Sequence, residues 1–575
     1  MNTSLGRVAA PPDCESTTGE FYFWVAEGQS VERTQIVRTA CTIGERDVLF
    51  IGFVQEVYRR SRQADIGEES DRYDGGRGGK PPFDSFGITY AKVAVLRTHP
   101  VTHAPPLEES EVCLATPDEA RLGYGVDRTE HPLDVGLLRN GGTAFAGKAT
   151  LDLDYLLGEN GGHLNVNGIA GLGAKSSFLL HVVMMLLREA KRQQIAAPSG
   201  SDNLQLAPIV FNVKNYDHFF IDQWNRKYDR NKAENDVDWR ELGVDDPQPF
   251  TAVKFLAPQV KGLSTPANVG RHDTSVKPYS WSLADVIAHG LFRFLFADDA
   301  IYDPNFGGYV DELEEFLTDD YGGTPKLKAT GVPQTFNDLL KEFKELTIYK
   351  SSDYAPQTRG KVFRHLKYIV RGGEGVLRRD DVGNPIRIPN AAFDGPLVID
   401  LFSIRMTPHL QRFVVAAVFH QLVELRSKHA VPGLRFAVVL DELNRFAPKE
   451  SSDPITAIIE TVAAEMRSQG VILLGAQQQA SLVKPRVIAN CAVKAIGRSD
   501  SLEMSAEVWK ALDRSARQTA AQLQAEEKLL VQPNFREPML AKIPFPPFAL
   551  KREDGVLPTG AASVPAWKKN LIEDL

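Results

Sequence analysis

Cysteine is scarce in this sequence: the four present, Cys14, Cys41, Cys113 and Cys491, stand far apart with no C-x-x-C pair. That scatter excludes a zinc ribbon or a dithiol redox centre and leaves buried, reduced thiols as the reading. Long apolar runs are missing too. The most apolar stretch, residues 178–187, is broken by His181 and falls well below the roughly 18 residues of a membrane-spanning helix. The N-terminus, MNTSLGRVAAPPDCES, lacks the basic head and apolar centre of a secretory signal, so a cytoplasmic protein with no membrane partner is expected. Positive charge is not in excess either. A net charge of −8 excludes a surface coated for nucleic acid, although a locally basic channel stays open. At 575 residues the chain is too long for one hydrophobic core, and two to four structural units are expected.

What is present centres on residues 163–192, HLNVNGIAGLGAKSSFLLHVVMMLLREAKR. A short apolar strand over 164–167 leads into a glycine turn (Gly168, Gly171, Gly173), and Lys175-Ser176-Ser177 open a long helix. Free N–H groups at a helix start attract anions, glycines let the chain wrap them, and a Lys with a following hydroxyl can serve terminal phosphates and Mg²⁺. The spacing departs from G-x-x-x-x-G-K-[ST]. Ile169 and Ala174 stand where the two glycines belong, and Gly168 with Gly173 fits only with one residue too many. Read alone, the stretch is either a phosphate loop built from Gly168, Gly171, Gly173, Ala174, Lys175, Ser176 and Ser177, or a plain turn before a helix.

Ahead of it, EFYFWVAEG, TQIVRTAC, DVLFIGFVQEVYRR and ITYAKVAVLR read as strands, predicting a small β-barrel or sandwich over 1–130. The glycine-rich passage 61–82 between them reads as a loop. Behind the central stretch, apolar runs at 206–213, 251–256, 395–401, 434–440, 471–474 and 492–496 alternate with helical patterns, as in a parallel sheet covered on both faces. Capping boxes at Ser282–Asp285 and Thr335–Asp338 mark a helical insertion over 276–375. The α/β core is thus expected over 131–275 and 376–520, helix-rich to about residue 530. An extension over 521–575 ends in a Pro-rich tail with little regular structure.

The strand LRFAVVL runs straight into Asp441-Glu442. One carboxylate can hold Mg²⁺ while its neighbour polarises an attacking water; the alternative reading is an acidic helix start. The order strand, glycine loop with Lys-Ser, helix, then VVLDELNRFAP, AAEMRSQGVILLGAQQQAS and NCAVKAIGR resembles the HerA branch of the HerA and FtsK superfamily of ring-forming ATPases, over about residues 4–550. The resemblance implies a RecA-like P-loop ATPase core with an N-terminal HAS-barrel-like β-barrel and a helical insertion. It implies that Lys175 contacts the β- and γ-phosphates of ATP, that Ser176 and Asp441 serve Mg²⁺, and that Glu442 acts on the catalytic water. Gln477 would sense the γ-phosphate, and Arg467 would reach a neighbouring subunit's nucleotide as a finger. The family's arginine ahead of the first strand has no counterpart here, where Gly161, Gly162 and His163 stand.

By the same resemblance the protein is a homo-hexamer that moves double-stranded DNA through its channel, with Lys214 a candidate channel residue. The chain contains no recognisable nuclease, so a separate effector, a nuclease or an NAD-consuming sirtuin-like enzyme in antiviral defence, is expected as partner. The alternative is an ATP-regulated scaffold that assembles and activates that effector without productive translocation.

Overall fold

In the first part of the chain, alternating apolar residues turn inward and close a barrel. Phe21, Phe23, Val93 and Val95 share its core, while Trp24 faces out. The computed structural model describes residues 4–60, 87–169, 171, 174–197, 203–271, 274–296, 303–319, 325–373, 375–451 and 453–555. The passage 61–82, Gly173 and residues 556–575 of the C-terminal extension lie outside them. Strands β1 (Ser4–Val8), β2 (Glu20–Val25), β3 (Ile36–Ile43), β4 (Arg46–Arg60), β5 (Ile88–His99) and β6 (Glu111–Leu114) form the barrel in the order β1-β2-β5-β4-β3-β6. The four residues of β6, which close it, are absent from the sequence reading.

The rest of the chain builds one 12-stranded sheet. Its strands are β7 (Pro132–Asn140), β8 (Ala144–Asp152), β9 (Leu164–Asn167), β10 (Gln205–Asn212), β11 (Lys254–Pro258), β12 (Val276–Tyr279), β15 (Leu397–Asp400), β16 (Leu434–Leu440), β17 (Val471–Gln477), β18 (Val493–Ile496), β19 (Glu527–Val531) and β20 (Met539–Lys542). A separate two-stranded ribbon, β13 (Thr318–Asp319) and β14 (Lys326–Leu327), sits among the helices of the insertion. The sheet order is β12-β11-β15-β10-β16-β17-β9-β18-β19-β20-β7-β8. From β12 to β18 every pairing is parallel, and from β18 to β8 every pairing is antiparallel.

The parallel half has the expected two-sided cover. Ile209, Phe211, Val438 and Leu440 join the apolar layer that holds the helix Pro408–Lys428. Val210, Val439 and Leu474 point the other way, to the layer that holds the helix Lys175–Ala196. Adjacent residues serve opposite layers because side chains alternate along a strand. The fold is therefore α/β, with the N-terminal barrel and the helical insertion in place.

Four details correct the reading of the sequence. The strand expected at 251–256 lies at Lys254–Pro258. Residues 276–279 open no helix but form the edge strand β12, and the helices begin at Leu283–Ala288 behind the Ser282 capping box. The stretch read as helical to about 530 turns into β19. The Pro-rich tail contributes β20, whose backbone joins β19 to β7; Pro538 stands just outside this strand, where a missing N–H costs no ladder bond.

Glu537, beside this strand, accepts from Gln55 of the barrel at 3.4 Å. Burial, with Asp513 nearby, pushes its carboxyl up from 4.5 to about 7. The unfolded chain loses that proton first, so the contribution to stability is full below about pH 4.5 and lost as pH rises through about 7. Glu537→Gln is expected to raise the unfolding temperature at pH 8, by about 1 kcal/mol of stability after solvent screening, and to leave it unchanged at pH 4.5. A pH-independent difference would contradict the assignment.

Candidate functional site

Parallel strands end at one edge of their sheet, and the loops leaving that edge meet. β9 and β16 leave it separated only by β17, which brings the glycine loop to Asp441-Glu442. After Gly168 and Ile169 the chain turns through Gly171, at φ +77°, and enters the helix at Ala174. No side chain caps this helix start, so first-turn N–H groups are left for an anion. Lys175 is buried and bends back, donating from Nζ to the carbonyls of Gly168 at 2.8 Å and Ile169 at 3.4 Å. Burial pushes its ammonium below the usual lysine range, and Asp441 opposes that shift. Ser177 donates its hydroxyl to the Ala174 carbonyl at 2.9 Å.

The Ser176 hydroxyl donates to Asp441 Oδ2 at 2.6 Å. A helix-start hydroxyl and a strand-end carboxylate in contact offer two hard oxygens on one spot, the donor chemistry Mg²⁺ takes. Asp441 Oδ1 accepts the backbone N–H of Glu442 at 2.9 Å. Glu442 itself holds a left-handed backbone, φ 59° and ψ 45°, a conformation that costs a non-glycine residue roughly 1–2 kcal/mol. Its side chain caps no helix, so the acidic pair is no ordinary helix start.

Ala174 is strained too. At φ 40° and ψ 43° it takes the positive φ at which a methyl is unfavourable and glycine is not. Ala174→Gly is expected to raise stability by about 1 kcal/mol and to tighten nucleotide binding several-fold. Titration calorimetry and a melting curve check this, and unchanged values in both would show the methyl to be harmless.

Two residues missing from the expected site belong to the cluster. Lys214, just beyond β10, forms an ion pair with Glu442 Oε1 and stands 3.9 Å from Asp441 Oδ2. The neighbouring strand ends of β10 and β16 bring it there, so its place is at the carboxylates. Gln478 donates from Nε2 to the same Glu442 oxygen at 3.3 Å. Gln477, the glutamine expected there, is turned away. It is fully buried, and its amide exchanges hydrogen bonds with Asn165 at 3.0 and 2.9 Å. The run of three glutamines was the signal, and the alternation of faces decides which one reaches the carboxylate.

Arg467 is not in the cluster. It is exposed in the 3₁₀ turn Met466–Gln469 that precedes β17, at the opposite end of the parallel strands from Lys175. The chain ahead of β9 passes close beneath it. A Cβ on Gly158 would lie 2.5 Å from the Arg467 carbonyl oxygen, and one on Gly162 would lie 3.0 Å from Arg467 Cβ. Gly158, at φ +109° against a backbone oxygen, has no room for a side chain, whereas a side chain at Gly162 would have to displace Arg467 by a few tenths of an ångström. Of Gly161, Gly162 and His163, it is Gly162 that lies against the Arg467 side chain.

Among the described residues no helix is long and apolar enough to cross a membrane. No protein-family model matches the chain, and no curated protein matches it. Among solved structures it is similar to VirB4 of Thermoanaerobacter pseudethanolicus, at 17% identity over 73% of this chain and 98% of that one, with a TM-score of 0.43. It is also similar to the bacterial conjugative coupling protein TrwBdeltaN70, at 13% identity over 77% of this chain and 96% of that one, with a TM-score of 0.45. The third is the genome packaging NTPase B204 from Sulfolobus turreted icosahedral virus 2, at 12% identity over 26% of this chain and 68% of that one, with a TM-score of 0.20.

Proposed function

We propose that this chain is a P-loop ATPase of the HerA and FtsK superfamily, a ring-forming motor that moves along double-stranded DNA. The observation that carries the reading is the 2.6 Å contact between Ser176 and Asp441, with Lys175 and Glu442 on either side. Loop amides and Lys175 would hold the phosphates of ATP. Ser176 and Asp441 would hold Mg²⁺, which supplies charge neutralisation at the phosphates when bound. Glu442 would orient and polarise the attacking water. Gln478, which touches Glu442, takes the sensing role in place of Gln477. Arg467 would complete the site of the next subunit in a homo-hexamer. By resemblance, the cutting or NAD-consuming step in antiviral defence belongs to a separate nuclease or sirtuin-like effector.

A second reading has its own support. With Glu442 held by Lys214 and Ala174 strained in the loop, hydrolysis in the free chain is restrained. That suits a scaffold which assembles its effector and uses ATP as a regulatory ligand.

ATP hydrolysis by the assembled protein, measured with and without double-stranded DNA over a range of salt, separates the two. A motor hydrolyses faster on DNA, and the stimulation weakens steeply with salt because the grip is on phosphates. Hydrolysis indifferent to DNA overturns the motor; failure to bind ATP overturns both.

A further inference from the structure

The strand that carries the glycine loop is polar on one face. Residues 165 and 167 share a face by the period of a strand, His163 precedes the strand with a left-handed backbone at φ 69°, and a parallel strand covered on both sides is normally filled by Val, Ile or Leu. Here stand His163, Asn165 and Asn167, none with any exposed surface, while Leu164 and Val166 enter the opposite apolar layer. Three buried polar side chains destabilise a fold unless their groups are bonded. Each one is bonded, to β17 or to the segments flanking it and β18.

His163 accepts the Leu473 N–H on Nδ1 at 2.9 Å and donates from Nε2 to the Ala463 carbonyl at 3.0 Å. Asn165 and Gln477 form the reciprocal amide pair. Asn167 accepts the Ala480 N–H at 3.1 Å and donates to the Ser499 hydroxyl at 3.0 Å. The parallel ladder already joins β9 to β17 over Leu474–Gln477. The side chains extend the grip past both ends of that ladder, to Ala463 ahead of Arg467 and to Ala480 beyond Gln478.

We propose that His163, Asn165 and Asn167 are positioning residues that transmit the occupancy of a subunit's own phosphate loop to β17. They thereby set Gln478 beside Glu442 at one end and the Arg467 offered to the neighbouring subunit at the other. The proposal rests on the ring-ATPase reading. Its physical content is that side-chain hydrogen bonds are directional, so a shift of β9 on nucleotide binding either carries the bonded segments with it or breaks the bonds. Apolar packing on that face would let the two strands slip.

The test uses the assembled full-length protein. Asn165→Leu with Gln477→Leu removes both partners and leaves no orphaned amide. Nucleotide affinity of this variant is expected to stay within about 3-fold of wild type, while kcat falls at least about 10-fold and the Hill coefficient for ATP drops from above about 1.5 to about 1. The exchanged pair, Asn165→Gln with Gln477→Asn, restores amide facing amide and is expected to recover cooperativity. Should the double leucine variant not assemble, Asn167→Ser carries the test with the same expected loss. Cooperativity unchanged in the assembled variants, or absent from a wild type that hydrolyses ATP, overturns the proposal and leaves the ATPase reading standing. A wild type that neither binds nor hydrolyses ATP overturns the reading itself.

Discussion

Glu442→Gln is expected to lower the single-turnover rate of ATP hydrolysis by about 10²–10⁴-fold, the span typical for loss of a positioned general base. ATP affinity should be kept or increased. The amide fills the same space and still accepts from Gln478, whose Nε2 lies 3.3 Å from the present carboxylate. What it loses is charge: it cannot draw a proton from water, and its ion pair with Lys214 becomes a neutral contact. Asp441→Asn should fail differently. That side chain touches Ser176, so its loss weakens Mg²⁺ and nucleotide retention ahead of turnover. Affinity measured with and without Mg²⁺ tells the two apart. The left-handed backbone of Glu442 is consistent with strain held at a functional residue. A Glu442→Gln protein that turns over at near wild-type rate would remove Glu442 from the mechanism and leave Asp441 as a metal ligand without a base beside it.

The parts of this site that were legible in the sequence are those written locally. LNVN before a glycine turn and Lys-Ser, and FAVVL before Asp-Glu, each state a strand and what leaves its end. Both strands occur at or within a residue of those positions. Whatever depended on a distant partner was not legible. β6 and β20 are four-residue strands that pair with β1 and β3 and with β7 far along the chain, and β20 is flanked by prolines. Three successive glutamines alternate in direction, so choosing Gln478 over Gln477 requires knowing that Asn165 faces Gln477 across the sheet. Lys214 carries no mark in the sequence as a partner of Glu442. Only the adjacency of β10 and β16 provides it. The N-x-N of β9 stands in the sequence, but its partners Gln477, Ala480 and Ser499 lie far along the chain.

Arg467→Ala is expected to reduce hydrolysis by about 10³-fold, the low end for loss of an arginine finger, with ATP binding nearly intact. The placement of the residue dictates both halves. β17 runs seven residues from the Arg467 turn to Gln477, about 23 Å of extended chain, so Arg467 cannot reach the phosphate loop of its own subunit. A ring closes by head-to-tail contacts in which one subunit's back meets the next one's front, and that geometry would carry the guanidinium across. Lys175→Ala should be inactive for the opposite reason, keeping its arginine while losing its phosphate site. Mixed in equal amounts, the two inactive proteins form rings in which about a quarter of the interfaces join an intact Arg467 to an intact Lys175. Hydrolysis should therefore return to a measurable fraction of wild type and rise and fall with the mixing ratio. If β9 transmits nucleotide occupancy to β17, the recovered rate will fall below that quarter, because the arginine is then offered by a subunit whose own loop is compromised. No recovery at any ratio, in rings shown by native mass to be mixed, would remove Arg467 from the neighbouring site and return it to an exposed cation at a helix end.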